Sequence, residues 1–499
     1  MSSKPNILYI ISDQHNAKCL GVAGHPIVKT PNLDRLSETG VRFTHAITQS
    51  PICTPSRICY LSGQYAHNHG YFGLRGTPVG MPPSLFEHVK THGYRTAHIG
   101  KNHTPLGWIE PHCDVYLGDS AEEDYPSDIA MSPYDRYLQS KGILEDRDDV
   151  EYPEQTKKDA QSKDARCSRL DYADSVEGWC AMEARRFIEQ SGDTPWFMQL
   201  SFPRPHQVYS PSEPFWSMYS DDLPMPPNAD ADLSLKAPHL RKMREAQENG
   251  SEESLFGDPS YEALRRRKLR GYYGLISQTD HAIGEVLDAL SASGQHENTI
   301  VIYTTDHGEY ACEFGLLEKS PGICSDAVTR IPHIWSWPGR IEAGRVCEQI
   351  VETVDMAPTL CTLIGAPSMP CVDGKDMTPL LKGGDTPLRR AGVTEHPWSK
   401  SVRKGPWRMV YYPDGMFDES PVGELYNLDD DPWEMNNLFH EPAFAHVLAD
   451  LRSELLEWII TTQRLRTSHP RPPAAQCNDG KYSAQSLRAC VDTGQVYYL

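Results

Sequence analysis

The chain has 499 residues, 39% of them hydrophobic and 23% charged, with a formal net charge of −20. This is ordinary globular composition, long enough for one large domain and a smaller companion. So acidic a chain excludes nucleic acid and anionic membranes as natural partners, and any anion-binding site must be locally basic.

The run Asn6-Ile-Leu-Tyr-Ile-Ile-Ser12 is closed at once by Asp13. It is too short for a signal sequence, has no cleavage site and reads as a buried strand. Further strand-like runs, Thr96–Ile99, Phe197–Phe202, Thr299–Thr304 and His333–Trp337, alternate with helical patterns. That alternation predicts an α/β fold: a large, mostly parallel or mixed sheet sandwiched by helices. Thr30 as N-cap, Pro31 at the first position and Gly40 beyond the end frame a helix over Asn32–Glu38. A long helix is expected over Tyr261–Leu290. The polar stretches Glu145–Lys163 and Arg241–Ser260 read as loops or insertions.

The apolar helix Met356–Ile364 closes an expected catalytic α/β domain over residues 1–370. Residues 371–466 read as a smaller C-terminal α+β subdomain. Its short strands are Ala391–Thr394 and Arg408–Tyr412, and its helix is Ala443–Thr462. Residues 467–499 form a tail, stiff and extended at His469-Pro-Arg-Pro-Pro473. It ends on apolar Val496-Tyr-Tyr-Leu499 and reads as an arm of a homo-oligomer, with docking on its own chain or disorder as the alternatives. No run of about 18 apolar residues occurs, so no membrane-spanning helix is expected. The thirteen cysteines are odd in number and follow no framework spacing. They read as reduced thiols of a cytoplasmic protein.

Three local patterns carry chemistry. Asp13-Gln14 follows an apolar strand, and Asp306-His307-Gly308-Glu309 follows another. In an open α/β sheet, ligands bind at the carboxyl ends of strands, where carboxylate and amide oxygens suit a hard divalent cation. Acidic residues also end strands for no such reason, and Asp and Gly make ordinary turns. The third pattern, Cys53-Thr-Pro-Ser-Arg57, opens a helix that continues through Ile58–Ser62 to Gly63. A helix N-terminus favours anions, and Arg57 adds a fixed positive charge. A merely buried thiol at a helix start fits the same residues.

Cys53-x-Pro55-Ser56-Arg57 resembles the signature of the formylglycine-dependent sulfatases of the alkaline phosphatase superfamily. The likeness runs from Pro5 to about Leu438. It takes in Pro31-Asn-Leu-Asp-Arg-Leu36 with Gly40-Val-Arg-Phe43, Gly100-Lys101-Asn102-His103 and Phe202-Pro-Arg-Pro-His206. It continues through Gly315-Leu-Leu-Glu-Lys319, Arg330-Ile-Pro332 and Leu425-Tyr-Asn-Leu-Asp429, then Asp431-Pro432 and Asn437-Leu438.

The resemblance implies an alkaline phosphatase-like fold and a sulfuric ester hydrolase. It implies one divalent cation, usually Ca²⁺ and sometimes Mg²⁺ or Mn²⁺, held by Asp13, Gln14, Asp306 and His307 beside residue 53. It implies a formylglycine-generating enzyme that converts Cys53. One hydroxyl of the hydrated aldehyde then attacks sulfur, and the second expels sulfate by re-forming the aldehyde. Arg57, Lys101 and His103 are implied to hold those hydroxyls, with His103 as base for the collapse. His206 would protonate the leaving oxygen, and Lys101 and Lys319 would neutralise sulfate oxygens.

Many sulfatases carry Asp where Gln14 stands and Asn where His307 stands. The choices seen here resemble those of choline sulfatases and phosphonate monoester hydrolases. Phosphonate or phosphodiester hydrolysis is therefore the alternative activity, and an inactive anion-binding homologue is a third. Lys101 with His103 favours sulfate monoesters. For the leaving group, Asn68, Arg75, Trp108, His396 and Arg403, with His67, Tyr209 and Trp398, are the candidate pocket residues. Arginine beside aromatic rings suits a sulfated carbohydrate or other small anionic ester.

Overall fold

The computed structural model describes residues 4–74, 80–120, 131–147, 165–248, 261–319, 324–414, 416–417 and 422–464. The expected tail, 467–499, lies outside them, as does most of the expected loop 145–163. Among the described residues, the main sheet comprises β1 (Asn6–Asp13), β2 (Val41–Ile47), β3 (Arg95–Gly100), β4 (Val115–Leu117), β5 (Trp196–Pro205), β6 (Thr299–Thr305), β7 (Arg330–Ser336), β8 (Arg345–Cys347) and β9 (Val351–Glu352). Their order is β4-β3-β5-β1-β6-β7-β2-β8, with β9 also paired to β2. Only β7 runs antiparallel to its neighbours.

A strand covered on both faces needs apolar residues at every position, and β1 has them. Ile7, Tyr9 and Ile11 join the core on one face, and Leu8 and Ile10 join the core on the other; all five have 0% exposure. Each such isoleucine or leucine contributes about 1.5–3 kcal/mol by leaving water. The principal helices are α1 (Pro31–Glu38), α2 (Cys53–Ser62), α3 (Val176–Glu189), α4 (Pro238–Glu248), α5 (Tyr261–Ala292), α6 (Met356–Ile364) and α7 (Ala445–Thr462). Helices α2 and α6 supply Ile58, Leu61, Met356 and Leu360 to the first face. Helices α1, α3 and α5 supply Leu33, Trp179 and Ile283 to the second. The main sheet is thus sandwiched by helices, as expected.

A second, antiparallel sheet follows: β10 (Gly392–His396), β11 (Ser399–Lys404), β12 (Trp407–Tyr411) and β13 (Gly423–Asn427). Helix α7 covers it, placing Leu448, Leu451 and Leu455 on Val393, Val402 and Met409. It is stitched to the large sheet where Glu395 N–H donates to Gln49 O at 2.8 Å and Thr394 Oγ1 to Thr48 O at 2.6 Å. No helix among the described residues is long and apolar enough to cross a membrane.

Three expectations are corrected. Thr30 precedes α1, but its side chain does not cap it. The Asn32 and Leu33 N–H groups go instead to the Asp280 carboxylate of α5, at 3.1 and 2.8 Å. A carboxylate delivered from a packed helix displaces the weaker local hydroxyl acceptor. The polar stretch from Arg241 is helical through Glu248. Leu240 and Met243 give it an apolar stripe against Phe314, and Arg244 pairs with Glu248 at 2.8 Å. Finally, ten of the described cysteines are free, but Cys371 is disulfide-bonded, so reduced thiols do not hold throughout. Cysteine number and spacing do not say which thiols folding brings within bonding distance.

One glycine bears directly on the site. Gly100 ends β3 at φ 92°, and a Cβ there would lie 2.0 Å from the Ser201 carbonyl oxygen. Gly100→Ala is expected to cost about 2–4 kcal/mol through strain and overpacking together. Urea midpoints of the two proteins check this; an unchanged midpoint contradicts it.

Candidate active site

Four adjacent parallel strands, β3, β5, β1 and β6, end at one edge of the sheet. Register fixes what they deliver there. Ser12 pairs with Thr305, so Asp13 and Asp306 emerge side by side. β3 releases Lys101 and His103, and β5 releases His206. Across this edge lies the N-terminus of α2, whose first residue is Cys53 and whose N-cap carries no side-chain cap. Separate apolar runs have thus placed their terminal polar residues at one point.

Ligand atoms of Asp13, Cys53, Asp306 and His307 all lie within 4.8 Å of one another, and all four residues are buried. Cys53 Sγ is 3.2 Å from His307 Nε2 and 4.0 Å from Asp13 Oδ1. His307 donates Nδ1–H to the Gly308 carbonyl at 2.9 Å, which leaves Nε2 facing the cluster. Gln14, at φ 70°, turns its N–H to Asp306 Oδ1 at 3.1 Å and its side-chain oxygen to Lys319 Nζ at 2.6 Å. Two carboxylates, an amide oxygen and an imidazole nitrogen fit one divalent cation by donor chemistry.

Positive charge surrounds this acid cluster. Arg57 is buried and bridges the carboxylates, with Nε 3.0 Å from Asp306 and Nη2 3.2 Å from Asp13. Its remaining donor reaches Lys101 O and Ser201 Oγ, both at 3.0 Å. Lys101 Nζ lies 3.0 Å from Asp13 Oδ2. Burial alone would raise the Asp13 carboxyl, but Lys101, His206, Arg57 and Lys319 hold it well below its usual range. Burial and the Asp13 charge raise the Asp306 carboxyl. Burial and Asp13 push the Cys53 thiol up, yet Lys319, His307 and a hydrogen bond with His103 outweigh them and bring it well below normal. Residue 53 therefore sits where an anionic nucleophile is stabilised.

A family model described as "Sulfatase" matches residues 5–366, most of the chain. The chain belongs to the sulfatase family. It is a hydrolase of sulfate esters, and the alkaline phosphatase-like fold expected from its motifs is the one observed. A second model, "N-sulphoglucosamine sulphohydrolase, C-terminal", matches residues 312–461 of this sulfatase. It is 27% identical to an ulvan-active sulfatase of Formosa agariphila, over 91% of this chain and 80% of the relative. It is 28% identical to an arylsulfatase of Clostridium perfringens, over 91% and 94%. A phosphonate monoester hydrolase structure from Silicibacter pomeroyi superposes with a TM-score of 0.75 at 21% identity, covering 92% and 96%. That likeness is one of fold.

The sulfatase brings together Asp13, Gln14, Cys53, Arg57, Lys101, His103, His206, Asp306, His307 and Lys319. The candidate leaving-group residues are placed differently. Asn68 is tied to Asp373 and to the end of α7, through Thr462 O and Arg464 N–H. His67 bonds Glu395 at 2.9 Å and Thr462 at 3.1 Å, and lies edge-on to Trp458. Trp108 is buried in the core and donates to Pro82 O at 2.7 Å. Tyr209 packs edge-on to Tyr272. Arg403 pairs with Asp326 at 3.5 Å. His396 lies against Trp398 at the β10–β11 turn, and burial pushes its imidazole down to about 4. Arg75 lies outside the described residues.

The family motifs did not assign Ser201 or Glu309. Ser201 holds Arg57 from inside the β5 run, where a polar residue in an otherwise apolar strand was the available signal. Glu309 is buried behind Gln14, and burial and the Glu318 charge raise its carboxyl to about 7.

Proposed function

We propose that this sulfatase works with Cys53 converted to formylglycine and with one divalent cation, Ca²⁺ first among the candidates. Its substrate in this reading is a small anionic ester, a sulfated carbohydrate or small alcohol sulfate. The observation that carries the proposal is residue 53 at the head of α2, enclosed by Asp13, Asp306 and His307 with lysines around it. Asp13, Gln14, Asp306 and His307 would hold the cation, which supplies Lewis-acid polarisation of sulfate and nucleophile oxygens. Formylglycine supplies a hydrated aldehyde in place of a thiol.

The chain's own residues then divide the work. Arg57 keeps the two carboxylates together. Lys101 and Lys319 neutralise charge that builds on the sulfate oxygens. His103, beside residue 53, takes the proton from its second hydroxyl. His206 protonates the departing oxygen. Burial, Lys319 and Lys101 hold the free His206 imidazole well below its normal range. An arriving sulfate neutralises those lysines and lifts it toward protonation.

Mass spectrometry of the peptide containing Cys53 tests the nucleophile: sulfur is lost and an aldehyde gained, whereas an intact thiol refutes it. A sulfate-release screen over sulfated mono- and disaccharides tests the substrate class. Gln14, with the phosphonate hydrolase fold likeness, supports a second reading as a phosphonate or diester hydrolase, and relative rates on the two ester types separate them. The ten free cysteines among the described residues support a reducing, cytoplasmic setting and the Cys371 disulfide speaks against it; thiol counting on protein purified under alkylating conditions decides, and a Cys371 thiol that resists alkylation overturns the cytoplasmic reading.

His206→Ala should slow alkyl sulfates about 10²–10⁴-fold and nitrophenyl sulfate far less, because a stable phenolate needs little protonation. Equal losses on both substrates remove His206 from the general-acid role.

A further inference from the structure

We infer that Glu309 is a positioning residue that fixes which end of the Gln14 amide faces the cation site. The inference rests on the reading of Gln14 as a cation ligand. A primary amide has two ends of similar shape and opposite chemistry. The oxygen can hold a cation, and the NH₂ group cannot. Gln14 donates Nε2–H to Glu309 Oε2, and its Oε1 consequently faces Lys319 Nζ at 2.6 Å. While it is ionised Glu309 only accepts, so the reversed amide would then set oxygen against oxygen.

The same carboxylate organises the loop opposite. Its Oε1 accepts the Ala311 N–H at 3.3 Å and the Glu318 N–H. Between them the backbone takes positive φ at four non-glycine residues: Ala311 at 48°, Cys312 at 71°, Phe314 at 57° and Glu318 at 67°. Each such conformation is strained and persists only where its surroundings hold it. This loop leads directly into Lys319. Glu309 thereby holds both partners of one contact, the Gln14 oxygen and the Lys319 ammonium. Every donor on Glu309 is an N–H group, so an isosteric glutamine cannot satisfy them all.

The test compares wild type, Glu309→Gln, Gln14→Ala and the double variant, each stripped with chelator and titrated calorimetrically with Ca²⁺ and separately with Mn²⁺. Glu309→Gln should weaken the tighter ion about 10–100-fold. In the Gln14→Ala background the same exchange should change Kd less than about twofold, because the amide it orients is gone. Equal weakening in both backgrounds, or none in either, overturns the inference. Thermal midpoints of all four separate a folding defect from loss of the ion. If Glu309→Gln does not fold, Glu309→Asp serves, since it keeps a carboxylate but draws it back from Gln14, and the same background dependence is required. Wild type that binds neither ion refutes the cation reading itself, and this inference with it.

Discussion

Cys53→Ala abolishes sulfate release and leaves the protein folded. In the proposed mechanism residue 53 is the side chain that forms and breaks the covalent bond. Loss of a covalent nucleophile lowers kcat by a factor on the order of 10⁶. The stability cost is small by comparison. Cys53 is 1% exposed, but alanine removes a single atom, and the carboxylates remain bridged by Arg57. A change of about 1 kcal/mol is expected. The check is sulfate release by a purified variant whose melting curve matches wild type. Turnover above a few per cent of wild type would move the nucleophile elsewhere.

Chelation has an effect of similar size, and Asp306→Ala reproduces it irreversibly. A bound cation contributes several kcal/mol of charge stabilisation, so its removal should cost about 10³-fold or more in rate. Restoring Ca²⁺ or Mn²⁺ should rescue chelated wild type. It should not rescue Asp306→Ala, because the variant has lost one of the two carboxylates that Arg57 spans. Removing that carboxylate also relieves its repulsion with Asp13, so the metal-free variant need not be less stable than metal-free wild type. Full activity in verified metal-free protein refutes the assignment.

Much of this site was legible in the sequence because strand ends are. An uninterrupted apolar run followed by Asp13 or Asp306 marks where a strand leaves the sheet, and parallel register does the rest. The same reasoning could not find a leaving-group pocket. Asn68, His67 and Arg403 were candidates by residue type, yet their partners are Asp373, Thr462, Glu395 and Asp326, far away in sequence. Only tertiary packing says whether an arginine faces a ligand or a buried aspartate. Thr30 differs from expectation for the same reason: Asp280 comes from a distant part of the chain. The helix at Leu240 was masked by its charged residues, which outnumber the narrow apolar stripe that anchors it.

The position of β1 has a consequence for biosynthesis. It lies between β5 and β6, so the first strand made waits for the fifth and sixth of the large sheet. In the finished protein Cys53 is buried, 1% exposed, at the head of α2. On the ribosome it is not, because Asp306 and His307 have yet to be synthesised. Roughly 250 residues separate Cys53 from Thr305, and at about 5–20 residues per second that leaves roughly 12–50 s. Chain topology therefore sets a clock for the proposed conversion: the thiol is open to a modifying enzyme only until β6 docks.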